Sequence, residues 1–228
     1  DRLHALIERW WLEARANQVL PLDDRFAERF AENAQRYHAD RTRYVFWHGM
    51  GHLPSDVAPD LRSRSYTITA HATIPDAGAE GVLIAHGDAT SGYSLFVRDG
   101  RLVHDLNIGG SHQVVTSERR VPAGTHTLGF RMQREAGSSS VPGGRGTLLI
   151  DGDPAGTMTT EQIFWLMISW SGLDVGLDRG TTVSDYDRTG RFVGPFAFTG
   201  ELEKVVVELE ADQVVDHDEA GPAELARE

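Results

Sequence analysis

The chain opens on apolar positions with a helical period. Leu3, Leu6, Ile7, Trp10, Trp11 and Ala14 recur every three or four residues and lay one wide stripe along a helix. Asn17 offers a C-terminal stop, and Pro21 forbids continuation a turn later. Asp23 and Asp24 can cap a second short helix, "DDRFAERFAENAQRYHAD". It would turn Phe26, Ala27, Phe30 and Ala34 inward and its Arg/Glu pairs to solvent. Helix is therefore expected in residues 1–40. Residues 41–61 mix Gly, Pro and aromatics and read as an irregular connector.

From residue 62 the period becomes two. In "SYTITAHATIP", Tyr66, Ile68 and Ala70 alternate with Thr67, Thr69 and His71. "GVLIAHG" is a short continuous apolar run. "GYSLFVRDGRLVHDLN" reads as two strands around Asp99-Gly100, and "GTLLIDGDPAGTMT" carries a second tight turn at Asp151-Gly152. "HTLGFRMQ", "FWLMISW" and "ELEKVVVEL" bring the set to nine or ten short strands. Strands so spaced predict a mainly β protein: an antiparallel β-sandwich of jelly-roll or concanavalin-like type over residues 62–210, not a βαβ fold. "REAGSSSVPGGRG" has loop composition, and residues 211–228 read as a flexible acidic tail.

Composition removes several functional classes. The 228 residues carry a net charge of −12, which suits neither nucleic acid nor an anionic membrane surface. No apolar run approaches the ~20 residues of a membrane helix. Neither nucleic acid nor a membrane is expected as a partner. Cys is absent, so disulfides, thiolate metal sites and Cys nucleophiles are excluded. Lys204 is the only lysine.

Four stretches could carry chemistry. "HGMGH" places His48 and His52 at the spacing of a zinc-binding helix. Gly49 replaces the general-base Glu, however, and two glycines beside Pro54 oppose a helix, so no metal site is assigned. "DVGLDRGTTVSDY" gathers Asp174, Asp178, Asp185 and Tyr186, an oxygen-rich set that suits calcium or a sugar, or equally a structural loop of Asx-turns. "GELEKVVVELE" puts Glu201 and Glu203, then Glu208 and Glu210, at positions where a jelly-roll glycosidase places paired carboxylates. The middle acid of such runs is missing. Val205 and Val207 fit a core face, with the glutamates wet and Lys204 pointing oppositely. Trp165 and Trp170 can stack on a sugar ring or fill the core. No G-x-S-x-G, phosphate-binding or dinucleotide fingerprint is present.

The segment "ERWWLEARANQVLPLDDRF" resembles the late part of many bacterial arylsulfatases, where a helix with a Trp and a Glu-Ala pair enters a Leu-Pro-Leu-Asp-Asp-Arg turn. Here these are Trp10 or Trp11, Glu13-Ala14 and Leu20 to Arg25. "AEGVLIAHGDATSGYSLFVRDGRLVHDLN", "LDVGLDRGTTVSDY" and "PFAFTGELEKVVVEL" are similar to parts of their C-terminal sandwich, so the likeness runs in order through most of residues 3–209. It implies a helix leaving an alkaline-phosphatase-like catalytic domain, then the accessory domain behind it, and a chain that is a piece of a longer sulfatase. The complete enzyme would use formylglycine and calcium. Neither is carried onto this chain: "SVPGGR" (Ser140, Pro142, Arg145) departs from C/S-x-P-x-R, and Asp23-Asp24 lies in the wrong motif for the calcium pair.

The expectation is thus an accessory domain without catalytic or metal-ligating residues of its own, packing on a sulfatase catalytic domain and shaping substrate access. The alternatives are a free-standing carbohydrate-binding sandwich and a jelly-roll hydrolase. A sulfated or carbohydrate ligand would meet Trp165, Trp170, Asp174, Asp178, Asp185 or Tyr186. The apolar stripe of the first helix can also drive self-association.

Overall fold

The computed structural model describes residues 2–20, 37–38, 40–135, 142–165 and 168–214. The helix expected over 23–40 lies almost wholly outside these residues, as do the centre of the 134–146 loop and the tail beyond 214.

Helix α1 spans Arg2–Ala16 and stops where its sequence says it should. The Asn17 backbone N–H and side-chain amide both donate to the Glu13 carbonyl, at 3.0 and 2.9 Å. Gln18 then turns left-handed at φ 55°. Ala14 is the helix's one buried residue.

Among the described residues eleven strands follow: β1 (Arg43–Trp47), β2 (Tyr66–Ile74), β3 (Gly81–Gly87), β4 (Gly92–Arg98), β5 (Arg101–Ile108), β6 (Ser111–Thr116), β7 (Gly124–Glu135), β8 (Gly143–Ile150), β9 (Asp153–Thr160), β10 (Leu173–Val175) and β11 (Glu201–Leu209). They form two antiparallel sheets, in the orders β1-β11-β2-β7-β8-β9 and β10-β3-β4-β5-β6. Together these make the sandwich that the period-two runs predict.

Both Asp-Gly pairs close hairpins as expected. Asp99-Gly100 (φ 54° and 69°) joins β4 to β5, and Asp151-Gly152 (φ 57° and 82°) joins β8 to β9. Two expectations need correction, and one hairpin is added. The connector contains a strand: β1 pairs with β11 and sends Tyr44 and Phe46 into the core. "FWLMISW" forms no strand among its described residues; Ile163, Phe164 and Ile168 plug the core from a loop instead. A third tight hairpin, β5 to β6, turns on Gly109-Gly110 (φ 61° and 82°).

The two sheets differ in what covers them. The core lies between them, built on residues such as Ile68, Phe130, Leu148, Leu95, Leu106 and Val207. Strand β2 alternates buried with half-buried because the far face of its sheet is open. Strands β3, β4 and β5 are buried nearly throughout. Their outward Val82, Ala85, Phe96 and Val103 form a second apolar cluster under Val183, Tyr186 and Phe196, from the segment between β10 and β11. "GVLIAHG" is continuously apolar because both its faces are covered.

Candidate functional site

The covering segment holds most of the polar residues singled out in the sequence, and the structure ties them to the fold. Asp178 is 2% exposed. Its Oδ2 accepts from the Tyr186 hydroxyl at 2.6 Å and from the Val183 N–H at 2.9 Å, while Ser94 donates to the Tyr186 oxygen at 2.7 Å. Burial lifts the Asp178 carboxyl to about 6, aided by the charges of Asp174 and Asp88 and opposed by its two donors. Asp174 is separately engaged, by His52 Nδ1 at 3.1 Å and by the Arg179 N–H at 3.2 Å. Asp185 caps a turn, accepting from the N–H groups of Thr189 and Gly190. The structure therefore joins Asp178 to Tyr186 directly and leaves Asp174 and Asp185 in their own local contacts.

His48 and His52 fall on a turn after β1, not on a helix. They flank β10: Gly176 passes His48, and Gly172 passes His52 so closely that a Cβ would stand 2.5 Å from its Nε2. Among the described residues no group of three His, Asp or Glu side chains could hold a metal. Trp165 is half-buried and Trp170 is 53% exposed, at the rim beside Ser169 and Ser171. Burial would raise the Asp88 carboxyl there, yet hydroxyl bonds from Ser169, Ser171 and Thr90 bring it down to about 2. Ser55 Oγ and His86 Nε2 stand 3.1 Å apart, the spacing of a nucleophile and its base. The Ser55 proton is given to the Ser169 carbonyl at 2.7 Å, so His86 donates to Ser55 and the pair is not poised for attack.

In β11 a bulge between Leu202 and Lys204 resets the alternation. Val205, Val207 and Leu209 face the core as expected. Lys204 shares the outer face with Val206 and Glu208, a correction to its expected direction, and pairs with Glu203 at 3.0 Å.

The open outer face of the six-stranded sheet carries a groove of about 630 Å³ that runs along β7. Register builds it in rows. One row reads Arg43, Glu208, Thr67, Arg131, Thr147, Thr157 across six strands. The next reads Val45, Val206, Thr69, Gly129, Leu149, Pro154. Short side chains on β2 and Gly129 on β7 leave the floor low. A Cβ at position 129 would stand 2.9 Å from the Ile68 carbonyl oxygen. Glu208 is taken by Arg43 at 3.4 Å. The Arg131 guanidinium, the Gln133 amide and the hydroxyls of Thr67, Thr69 and Thr127 have no hydrogen bond or ion pair among the described residues.

No family model matches the chain, and no curated protein matches it. Several solved structures are similar to it in fold. The Ruminococcus gnavus IT-sialidase CBM40, bound to alpha2,3 sialyllactose, is 15% identical with a TM-score of 0.47, over 78% of this chain and 94% of that one. Domains LG4-5 of the mouse laminin alpha1 chain are 14% identical with a TM-score of 0.42, over 78% and 41%. The binding domain of botulinum neurotoxin serotype D is 8% identical with a TM-score of 0.42, over 82% and 43%. None of the three is a sulfatase, and the sulfatase resemblance rests on the sequence motifs alone.

The parts of the groove are legible in the sequence although the groove itself is not. Thr67 and Thr69 mark the polar side of β2, and Gly129 interrupts β7 where a strand would carry a side chain. What a linear pattern lacks is register, which sets Thr67 beside Arg131 and Thr69 beside Gly129.

Proposed function

We propose that this chain is the non-catalytic accessory sandwich of an arylsulfatase, seated on the catalytic domain through α1. The observation that carries the reading is the outward stripe of that helix. Trp10 and Trp11 are each 45% exposed, and Leu3, Leu6 and Ile7 are exposed beside them. Burying one large apolar side chain is worth roughly 1.5–3 kcal/mol, and contiguous patches of this kind mark interaction surfaces. In the resemblance, this motif is the helix that leaves the catalytic domain, so that domain is the cover it fits. The other matching motifs fall on framework: the Asp99-Gly100 turn, the Asp178–Tyr186 bond and β11. Formylglycine and calcium chemistry would belong to the catalytic domain.

The test uses the protein made from its complete reading frame. The amides of α1 should be protected from hydrogen exchange there, and Leu6→Asp with Trp10→Asp should remove that protection and lower aryl sulfate turnover. A reading frame that joins this chain to no C/S-x-P-x-R domain would overturn the proposal.

A second reading, that the sandwich binds carbohydrate in its own right, is favoured by the groove on the six-stranded sheet. Chemical-shift changes confined to β2 and β7 on adding oligosaccharides to the purified chain would support it. No change with any saccharide would end it.

A further inference from the structure

We propose that the groove along β7 binds a short saccharide carrying a single carboxylate or sulfate, gripped by Arg131 and the flanking threonines. This rests on the carbohydrate-binding reading and specifies its ligand.

The argument starts from Arg131. Its cross-strand neighbours are Thr67 on β2 and Thr147 on β8, both hydroxyl side chains and neither an acid. The carboxylate in the same row, Glu208, is two strands away, ~10 Å at sheet spacing, and is already paired with Arg43. The guanidinium is therefore a cation without a protein counter-ion among the described residues. A forked guanidinium matches a planar or tetrahedral oxyanion through two parallel N–H donors. A hydroxyl on either side adds donors to the remaining oxygens.

One row along, the chemistry changes to suit the body of a sugar. Thr69, Gly129 and Leu149 lie side by side there. Gly129 contributes no side chain, and Leu149, 8% exposed, gives the floor only a small apolar patch for the C–H face of a ring. Thr69 on one side and Thr127 one row further offer hydroxyls to ring hydroxyls. Gln133 stands at the far end, with one amide donor group and one acceptor. From Thr127 to Gln133 the groove follows β7 for ~20 Å, room for a short oligosaccharide.

Charge limits the ligand further. The chain carries −12 overall, and Glu208 and Glu210 line the groove with Arg131. A polysulfated chain would be repelled along its length. One anionic group set on Arg131 lies well within the ~8 Å screening length of that cation at physiological salt, whereas Glu208, ~10 Å away at sheet spacing, lies beyond it.

The test titrates the purified chain with four probes: a glucuronate-containing disaccharide, a monosulfated disaccharide, the matching neutral disaccharide and inorganic sulfate. Backbone amide shifts and calorimetry are the readouts. The expected result is saturable binding of one or both acidic sugars, with shifts centred on Thr69, Gly129 and Arg131. Which acidic sugar binds distinguishes carboxylate from sulfate. Arg131→Gln, at an exposed position with no partner among the described residues, should weaken that binding at least tenfold with an unchanged melting temperature. Three results would overturn the proposal: acidic-sugar binding that Arg131→Gln leaves intact, shifts at the Trp170 rim instead of β7, or inorganic sulfate binding as tightly as the sulfated sugar. If the neutral sugar binds the groove as tightly as the acidic ones, the acidic specificity fails and the carbohydrate reading stands. If no sugar binds, both fail.

Discussion

At the scale of single residues, Asp178 shows how burial converts a carboxyl into a structural group. The sequence marked it as an oxygen donor in a loop; the fold spends that oxygen on Tyr186 and Val183. Its folded pKa of about 6 stands above its ordinary 3.8 because burial penalises the charge. Between those values the folded state keeps a proton that the unfolded chain releases. The carboxyl's contribution is therefore most favourable below pH 4, declines as pH climbs toward 6, and is level above it. A shift of that size corresponds to roughly 3 kcal/mol. Asp178→Asn keeps an oxygen acceptor for both donors and cannot ionise. Relative to the parent it should gain about 2–3 kcal/mol of stability between pH 4 and pH 6.5, read from urea unfolding at several pH values. A difference that stays constant across that range would show that the carboxyl does not titrate in the fold.

At the scale of elements, β3 depends on a glycine at its entrance. Gly81 has φ 114°, and a Cβ there would lie 2.2 Å from the Ala197 carbonyl oxygen. The contact exists because the covering segment returns against β3, with the Val82 N–H donating to the Phe196 carbonyl at 3.0 Å. Gly81→Ala should therefore cost about 2–4 kcal/mol and loosen Phe196 and Tyr186 from the outer cluster. Gly78→Ala is the control: its φ is 88°, but nothing lies within 4 Å of an added Cβ, so only the backbone penalty of ~1 kcal/mol is expected. Thermal melts followed by near-ultraviolet circular dichroism compare them. Equal losses would mean that backbone conformation, not the covering segment, sets the requirement. Legibility at this scale followed local chemistry. The Asp-Gly hairpins and the alternation of β2 were plain because turn and period are local. Strand β1 was hidden because its pairing with β11 spans more than a hundred and fifty positions along the chain.

At the scale of the whole molecule, two neutral histidines in the core set its response to acid. His104 stacks on Phe130 with ring centroids 3.5 Å apart, and His86 meets the edge of Tyr93. Burial pushes both imidazoles down to about 3 from 6.5. Both are neutral and compatible with the fold above pH 6.5. As pH falls toward 3 the unfolded chain gains protons that the core refuses, and stability is lost. Two such shifts are worth on the order of 9 kcal/mol, against roughly 3 in the other direction from Asp178, and total stabilities are about 5–15. The histidines win, so the molecule should unfold on acidification between pH 6 and pH 3. His104→Leu should move that midpoint to lower pH, as monitored by tryptophan fluorescence. An unmoved midpoint would place the acid trigger elsewhere.

The sequence by itself determined the two-sheet class, the α1 stripe with its stop, and two of the tight hairpins, since each is written in spacing or turn chemistry a few residues long. It also carries the motifs on which the proposed sulfatase reading rests. The tertiary structure decided which sheet is covered and which is open. A continuous apolar run says that a strand is buried on both faces but not by what, and only the fold lays the Val183-to-Phe196 segment over β3, β4 and β5. It decided that Asp178 and Tyr186 face each other in the dry and that Arg131 stands between two threonines. Both facts are matters of register and layer, relations between residues far apart in the chain, which no local period encodes.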